Sequence, residues 1–207
     1  ALQFLHSAAD ATIPTLAARI AGKLVAAPLV KLPYVMISRK EIRRPEELRG
    51  KTIGIARAGN ISERLSRAVV RKFNIPESEV TIRPVGGSQA ERFQALRLNL
   101  VQAIVVTPPL DARAKNEGFN VLYRLIDLGL PFIYSSVHAS AKMLRERPEV
   151  VQRVVAAFAE TVYFVEKNPD KAKAAVAKIM RTNDAEALQV SYDVYAREIV
   201  DRRMVIP

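Results

Sequence analysis

The chain has 207 residues, with 32 Lys and Arg against 21 Asp and Glu, a formal net charge of +11 and no cysteine. Disulfides, cysteine-based zinc sites and cysteine nucleophiles are therefore excluded. With only His6 and His138, so is an all-histidine metal site. An apolar fraction of 49% fits a globular chain, built as one large domain or two small lobes.

The positive charge raises the question of nucleic acid, and its distribution answers against it. Arg and Lys are spread along the chain and mixed with acids. Only 6% of residues are aromatic and none is Trp, which leaves little for base stacking. The excess reads as solvated surface that helps to draw anions. No apolar run is long enough to span a membrane. The start, Ala1-Leu2-Gln3-Phe4-Leu5, lacks an initiator Met and a signal-peptide pattern. It reads as a strand entered midway, so a mature or truncated product is expected.

In chain order, residues 2–5 predict a short buried strand and residues 6–10 a small-residue loop. Residues 13–21 predict a helix, with Pro14 in its first turn and Gly22 in the left-handed position after its end. Residues 23–30 and 34–38 predict two strands. The run Arg44-Pro45-Glu46-Glu47-Leu48-Arg49-Gly50-Lys51 describes one short helix, and residues 52–56 a buried strand. A loop at 58–63 leads into a helix reaching Phe73, with Ile61, Leu65, Ala68, Val69 and Phe73 on one face. A strand at 80–84 follows. Gly86-Gly87-Ser88 then opens a helix in which Ser88 and Glu91 form a capping box.

Residues 101–106 are the most hydrophobic strand in the sequence. Thr107-Pro108-Pro109 starts a helix that Gly118 ends, with Thr107 as cap and Pro108 in the first helical position. A strand at 120–125 completes a β-α-β-α-β-α-β order, which predicts a parallel sheet covered by helices. After a strand at 132–138 the chain is helical. Pro148 starts a long helix with Val151, Val154, Val155, Phe158, Val162 and Val165 inward. Asn168 with Pro169 starts the next helix, and Asn183 with Glu186 the last.

In open α/β sheets ligands sit beyond the carboxyl ends of the strands, beside helix N-termini with free backbone N–H groups. Four loops qualify. In Ala58-Gly59-Asn60-Ile61-Ser62, Gly59 lets backbone approach a ligand and Asn60 and Ser62 donate from side chains. The same Asn60 can instead serve as a helix cap paired with Glu63. Thr107 and Pro108 are equally compatible with a cap and with ligand contact, and Asp111 in the same turn suits the helix dipole. Ser7 and Ala8 leave room after the first strand. Gly86-Gly87-Ser88 is accounted for by its capping box. Tyr34, Tyr134, Ser135 and Ser136 lie on strands able to link two halves and line a cleft. His6 ends an apolar strand and His138 has no acid partner in sequence. There is no nucleophile elbow, Walker loop or dinucleotide fingerprint, so no enzyme, cofactor or metal site is expected.

Several runs carry a family resemblance. Residues 44–55, Arg-Pro-Glu-Glu-Leu-Arg-Gly-Lys-Thr-Ile-Gly-Ile, are similar to a PEDLKGKTIGV segment. Val85-Gly86-Gly87-Ser88, Thr107-Pro108-Pro109-Leu110-Asp111, Glu146-Arg147-Pro148-Glu149-Val150-Val151 and Lys167-Asn168-Pro169-Asp170-Lys171-Ala172 follow in matching order. Together they resemble the solute-binding proteins of ABC importers of the nitrate/sulfonate/taurine type, the group that also holds thiamine-pyrimidine-precursor binders. The resemblance implies an α/β, two-lobed periplasmic-binding-protein fold of type II, with parallel-rich sheets flanked by helices. Lobe I comprises 1–36 and 131–207, and lobe II 37–130. It implies a periplasmic monomer that captures a small anionic or polar solute by hinge closure and delivers it to an ABC permease and its ATPase. The membrane is met only through the permease. Ligand contacts fall on Ser7, Ala8, Tyr34, Gly59, Asn60, Ser62, Thr107, Pro108 and Ser135. Members of the group are longer at both ends, so lobe I is expected to be incomplete and residues 2–5 to lie near an exposed edge. Enzymes of the same fold that make pyrimidines rely on a cysteine-rich motif absent here. A ligand-sensing domain of a regulator is the other alternative.

Overall fold

A computed structural model describes residues 2–8 and 21–205. The chain divides into two compact units, Ala1–Leu32 with Leu130–Pro207, and Pro33–Gly129.

The first unit holds a three-stranded antiparallel sheet of β1 (Phe4–Ser7), β2 (Gly22–Leu29) and β8 (Ser135–Ser140), in the order β1-β8-β2. Among the described residues β1 is one edge of it, and Leu2 is exposed. The other edge is covered. Ala27, Val30 and Asp201 exchange backbone hydrogen bonds with Met204, Ile199 and Pro28, so the segment around 199–204 runs along β2. This hides a strand that Pro28 has already deprived of one donor. The predicted helix at 13–21 lies outside the described residues, apart from Ala21. Gly22 does not take the left-handed position expected of it. It opens β2, where a Cβ would stand 2.7 Å from the Ala139 carbonyl oxygen, so it serves close strand approach.

Helices follow β8: α4 (Ala141–Glu146), α5 (Pro148–Lys167), α6 (Pro169–Met180) and α7 (Ala185–Tyr192). On α5, Val151 is buried and Val154, Val155, Phe158, Val162 and Val165 are half-buried, the stripe its spacing predicts. Val154, Val155 and Phe158 pack against Ala26, Val137 and Met204. Two caps differ from expectation. Asn168 makes no cap bond to α6 but donates from its side chain to Phe164 O at the end of α5. The α7 cap is Asp184, which accepts from Ala187 N, one residue past Asn183.

The second unit is a five-stranded sheet of β3 (Val35–Ser38), β4 (Thr52–Ile55), β5 (Thr81–Pro84), β6 (Ala103–Val106) and β7 (Asn120–Arg124). Its order is β5-β4-β6-β3-β7. β4 pairs in parallel with β5 and β6, but β3 is antiparallel to both β6 and β7. The sheet is mixed rather than wholly parallel, because β3 enters between two strands that run the other way. Its helices are α1 (Ile61–Lys72), α2 (Gln89–Arg97) and α3 (Leu110–Asn116).

β6 is buried along its whole length, as a strand covered on both faces must be. On one face Val35, Ile37, Ile104 and Val106 pack with Phe93 and Leu96 of α2 and Ala114 of α3. The register turns Met36, Ile53, Ile55 and Val105 to the other face, and α1 packs on β4 and β6 with Leu65 and Val69 buried. Each fully buried aliphatic side chain of this kind contributes about 1.5–3 kcal/mol.

Candidate functional site

β4 lies between β5 and β6, so the chain leaves it in one direction through α1 and returns in the other through α2. Right-handed crossovers then put α1 and α2 on opposite faces. The loops that follow β4 and β6 part at this point, at the carboxyl ends of the strands, which is the usual ligand position in open α/β sheets. The candidate site is built from the loops after β4, β5 and β6.

The loop after β4 is a closed hydrogen-bonded turn. Gly59 has a φ of +74°, a conformation that a side chain would strain. Its N–H donates to Glu63 Oε2 at 2.7 Å. Asn60 Oδ1 accepts from Ser62 N and from Ser62 Oγ, at 3.0 and 3.1 Å. Ser62 Oγ accepts in turn from Ala56 N at 2.9 Å. Ser62 is 2% exposed, so its hydroxyl is committed inside the turn. Capping occupies the oxygen of the Asn60 amide. The Gly59 N–H first, and Arg67 second, hold the Glu63 carboxyl below its ordinary pKa.

The loop after β6 departs from expectation. Thr107 is not a helix cap. The Pro108–Pro109 bond is cis, Pro109 precedes the first helical residue Leu110, and Thr107 is buried. Its partner is one the sequence did not point to: Gln89, the first residue of α2. Gln89 Nε2 donates to Thr107 Oγ1 at 2.8 Å and Thr107 N donates to Gln89 Oε1 at 2.7 Å. Tyr34 precedes Val35, the register partner of Val106, so Tyr34 and Thr107 extend from the same end of the β3–β6 pair. Asp111 sits in the first turn of α3, with Oδ1 buried and unpartnered. Burial pushes its carboxyl above the ordinary pKa, against backbone hydrogen bonds and Arg124.

Arg92, one turn into α2, is a second residue that sequence reading passed over. It is 6% exposed. Its guanidinium donates to Gly87 O at 3.1 Å and, weakly, to Val105 O at 3.5 Å. Its place was legible in principle, since it lies four residues before the buried Leu96 and next to Phe93. The capping box of Ser88 and Glu91 forms as the spacing predicts.

The remaining predicted residues, Ser7, Ala8 and Ser135, lie in the first unit. Ser135 Oγ and His6 Nε2 share a hydrogen bond of 2.6 Å, and the His6 ring stands edge-on to Phe158. On the opposite face Ser136 Oγ donates to Ser7 O at 3.1 Å. A serine has one hydroxyl hydrogen, so the 2.8 Å contact between Ser136 Oγ and His138 Nε2 has the imidazole as donor. His138 Nδ1 is then an acceptor, buried and unpartnered. Burial first, and His6 second, hold His138 below its ordinary pKa.

A family model described as NMT1/THI5 like matches residues 7–172. No curated protein matches the chain significantly. Among solved structures, the periplasmic aliphatic sulphonate binding protein SsuA from Escherichia coli is similar with a TM-score of 0.74 at 20% identity, over 94% of this chain and 66% of that one. The alkanesulfonate-binding protein SsuA from Xanthomonas axonopodis pv. citri, bound to MOPS, gives 0.69 at 16%, over 92% and 66%. The ligand-binding component of an ABC-type import system from Staphylococcus aureus, with zinc bound, gives 0.70 at 14%, over 93% and 66%. The chain thus shares their fold and spans 66% of their length.

Proposed function

The chain belongs to the NMT1/THI5-like family, and from that premise we propose that it is the solute-binding component of an ABC import system. It acts as a monomer in the periplasm and hands its solute to a permease and its ATPase. The solute is a small polar or anionic organic molecule, and the chain performs no chemistry on it. One observation carries this reading: three strand-end loops converge at the switch point of the Pro33–Gly129 sheet, with Gly59 exposed and Asn60 and Tyr34 half-buried among them. The proposed solute contacts of the Pro33–Gly129 unit are Gly59, Asn60, Tyr34, Thr107 and Pro108, with Ser62 shaping the turn. Those of the first unit are Ser7, Ala8 and Ser135, and a hinge change on binding is what the permease reads.

The test is a thermal-shift screen against alkanesulfonates, taurine, nitrate, pyrimidines and aromatic carboxylates, with mass spectrometry of the recovered solute. A ligand present at 100 times its Kd adds about 2.7 kcal/mol to stability, a rise of several degrees in Tm. The expected outcome is such a rise for one class, with the solute recovered unchanged. Conversion of the solute to a product would sink the transport reading.

A further inference from the structure

We propose that Arg92 is the counter-ion of the bound solute, reading one negatively charged oxygen headgroup, a sulfonate or a carboxylate, at the carboxyl edge of β5 and β6. The assignment rests on the solute-binding reading above. It starts from an imbalance. Arg92 is 94% buried, its Nε–H is enclosed with no acceptor, and among the described residues its charge meets no carboxylate in an ion pair. Interiors do not keep a lone charge without compensation, because desolvating it costs several kcal/mol. Glu91, next in sequence, attracts Arg92 through space but makes no ion pair with it, and its Oε2 accepts from Ser88 N and Ser88 Oγ, at 2.8 and 2.9 Å.

The guanidinium is also held in place. Two carbonyls, Gly87 O in the loop after β5 and Val105 O near the end of β6, anchor it from two different elements. Long side chains on a helix lean toward its N-terminus, so Arg92 reaches back from α2 to the strand ends rather than out along the helix. There it lies near Tyr34, the polar residue at the mouth of the β3–β6 pair. A tie between loop and strand needs only N–H donors, which a neutral glutamine also has. A fixed positive charge at the switch point has a further use, since a charge-assisted contact with an oxyanion is stronger and directional.

The experiment uses the full chain and pairs of isosteric probes: 1-propanesulfonate with propane-1-sulfonamide, and benzoate with benzamide. Affinities are measured by calorimetry for the unchanged protein and for Arg92→Gln, Arg92→Met and Arg92→Lys. The unchanged protein should prefer at least one anion over its neutral partner by about tenfold or more. Arg92→Gln should bring that preference within about twofold, and Arg92→Lys should keep part of it. Arg92→Gln against Arg92→Lys decides the matter, since both keep N–H donors for Gly87 O and Val105 O, and Arg92→Met serves only as a second check on the anion preference. An anion preference that survives Arg92→Gln overturns the assignment and leaves the solute-binding reading standing. So does an unchanged protein that binds amides as tightly as anions. If no probe binds the unchanged protein, the assignment of a sulfonate or carboxylate headgroup falls, while the solute-binding reading is decided by its own wider screen.

Discussion

His138 is held neutral by its surroundings. It is 3% exposed, gives its one N–H to Ser136, and has a buried Nδ1 with no donor. Burial and the neighbouring His6 lower its pKa from the ordinary 6.5. The sign follows from linkage. The unfolded chain takes up a proton as pH falls through about 6.5, while the folded chain refuses it until lower pH. Stability is therefore lost on acidification below about pH 6.5. Urea unfolding between pH 7.5 and 5.5 should show a falling midpoint, and His138→Gln should flatten that fall. A midpoint that stays level in the unchanged protein would refute this account. Two histidines were visible in the sequence, but Ser136 as the partner of one and Ser135 of the other were not. The Ser135–His6 contact arises from the β1–β8 register, which joins residues about 130 apart in sequence, whereas Ser136 and His138 meet on one face of β8, two residues apart.

Among the elements, the capping box is the clearest local determinant. Ser88 Oγ accepts from Glu91 N and the Glu91 carboxylate accepts from Ser88 N. Ser88→Ala should cost about 1 kcal/mol, read as a lower urea midpoint with unchanged slope, whereas Gly87→Ser at the exposed neighbouring position should cost less. This box, the 3.6-residue stripe of α5 and the run of β6 were legible because each depends on residues within one element. The start of α3 was misread for a steric reason. A residue that precedes proline is pushed out of the helical region, so Thr107 and Pro108 are both barred from starting a helix and Leu110 is the first free to do so. The direction of β3 was not legible either. Its buried apolar pattern is the same in either orientation, and only its neighbours in the sheet distinguish them.

At the scale of the whole molecule, the two-lobed α/β plan was legible from the alternation of elements and the resemblance of their motifs. The candidate site was legible as loops, because strand ends and helix starts could be placed. The buried place of Arg92 was not, since it looks in sequence like any basic helix residue. The Pro33–Gly129 unit is continuous and carries its own apolar interior, with Ile37, Ile53, Leu96 and Ile104 fully buried. Expressed alone, residues 33–129 should fold and melt cooperatively, with a dispersed amide NMR spectrum. A collapsed, undispersed spectrum would show that this interior is insufficient by itself.

The strand pairings at the edges of this unit have a consequence for ancestry and engineering. The chain enters at Pro33, immediately before β3, and departs at Gly129, shortly after β7. Those two strands are bonded neighbours, with Leu125 N donating to Tyr34 O at 2.9 Å. Leu29 and Ser135, flanking the excursion in the first unit, are likewise register partners, and Tyr134 N donates to Leu29 O. Both sides of the junction therefore present ends already side by side. Such a segment behaves as a cassette: it can be gained, lost or exchanged between scaffolds without re-threading either one. Each sheet is stitched shut at the seam by its own backbone.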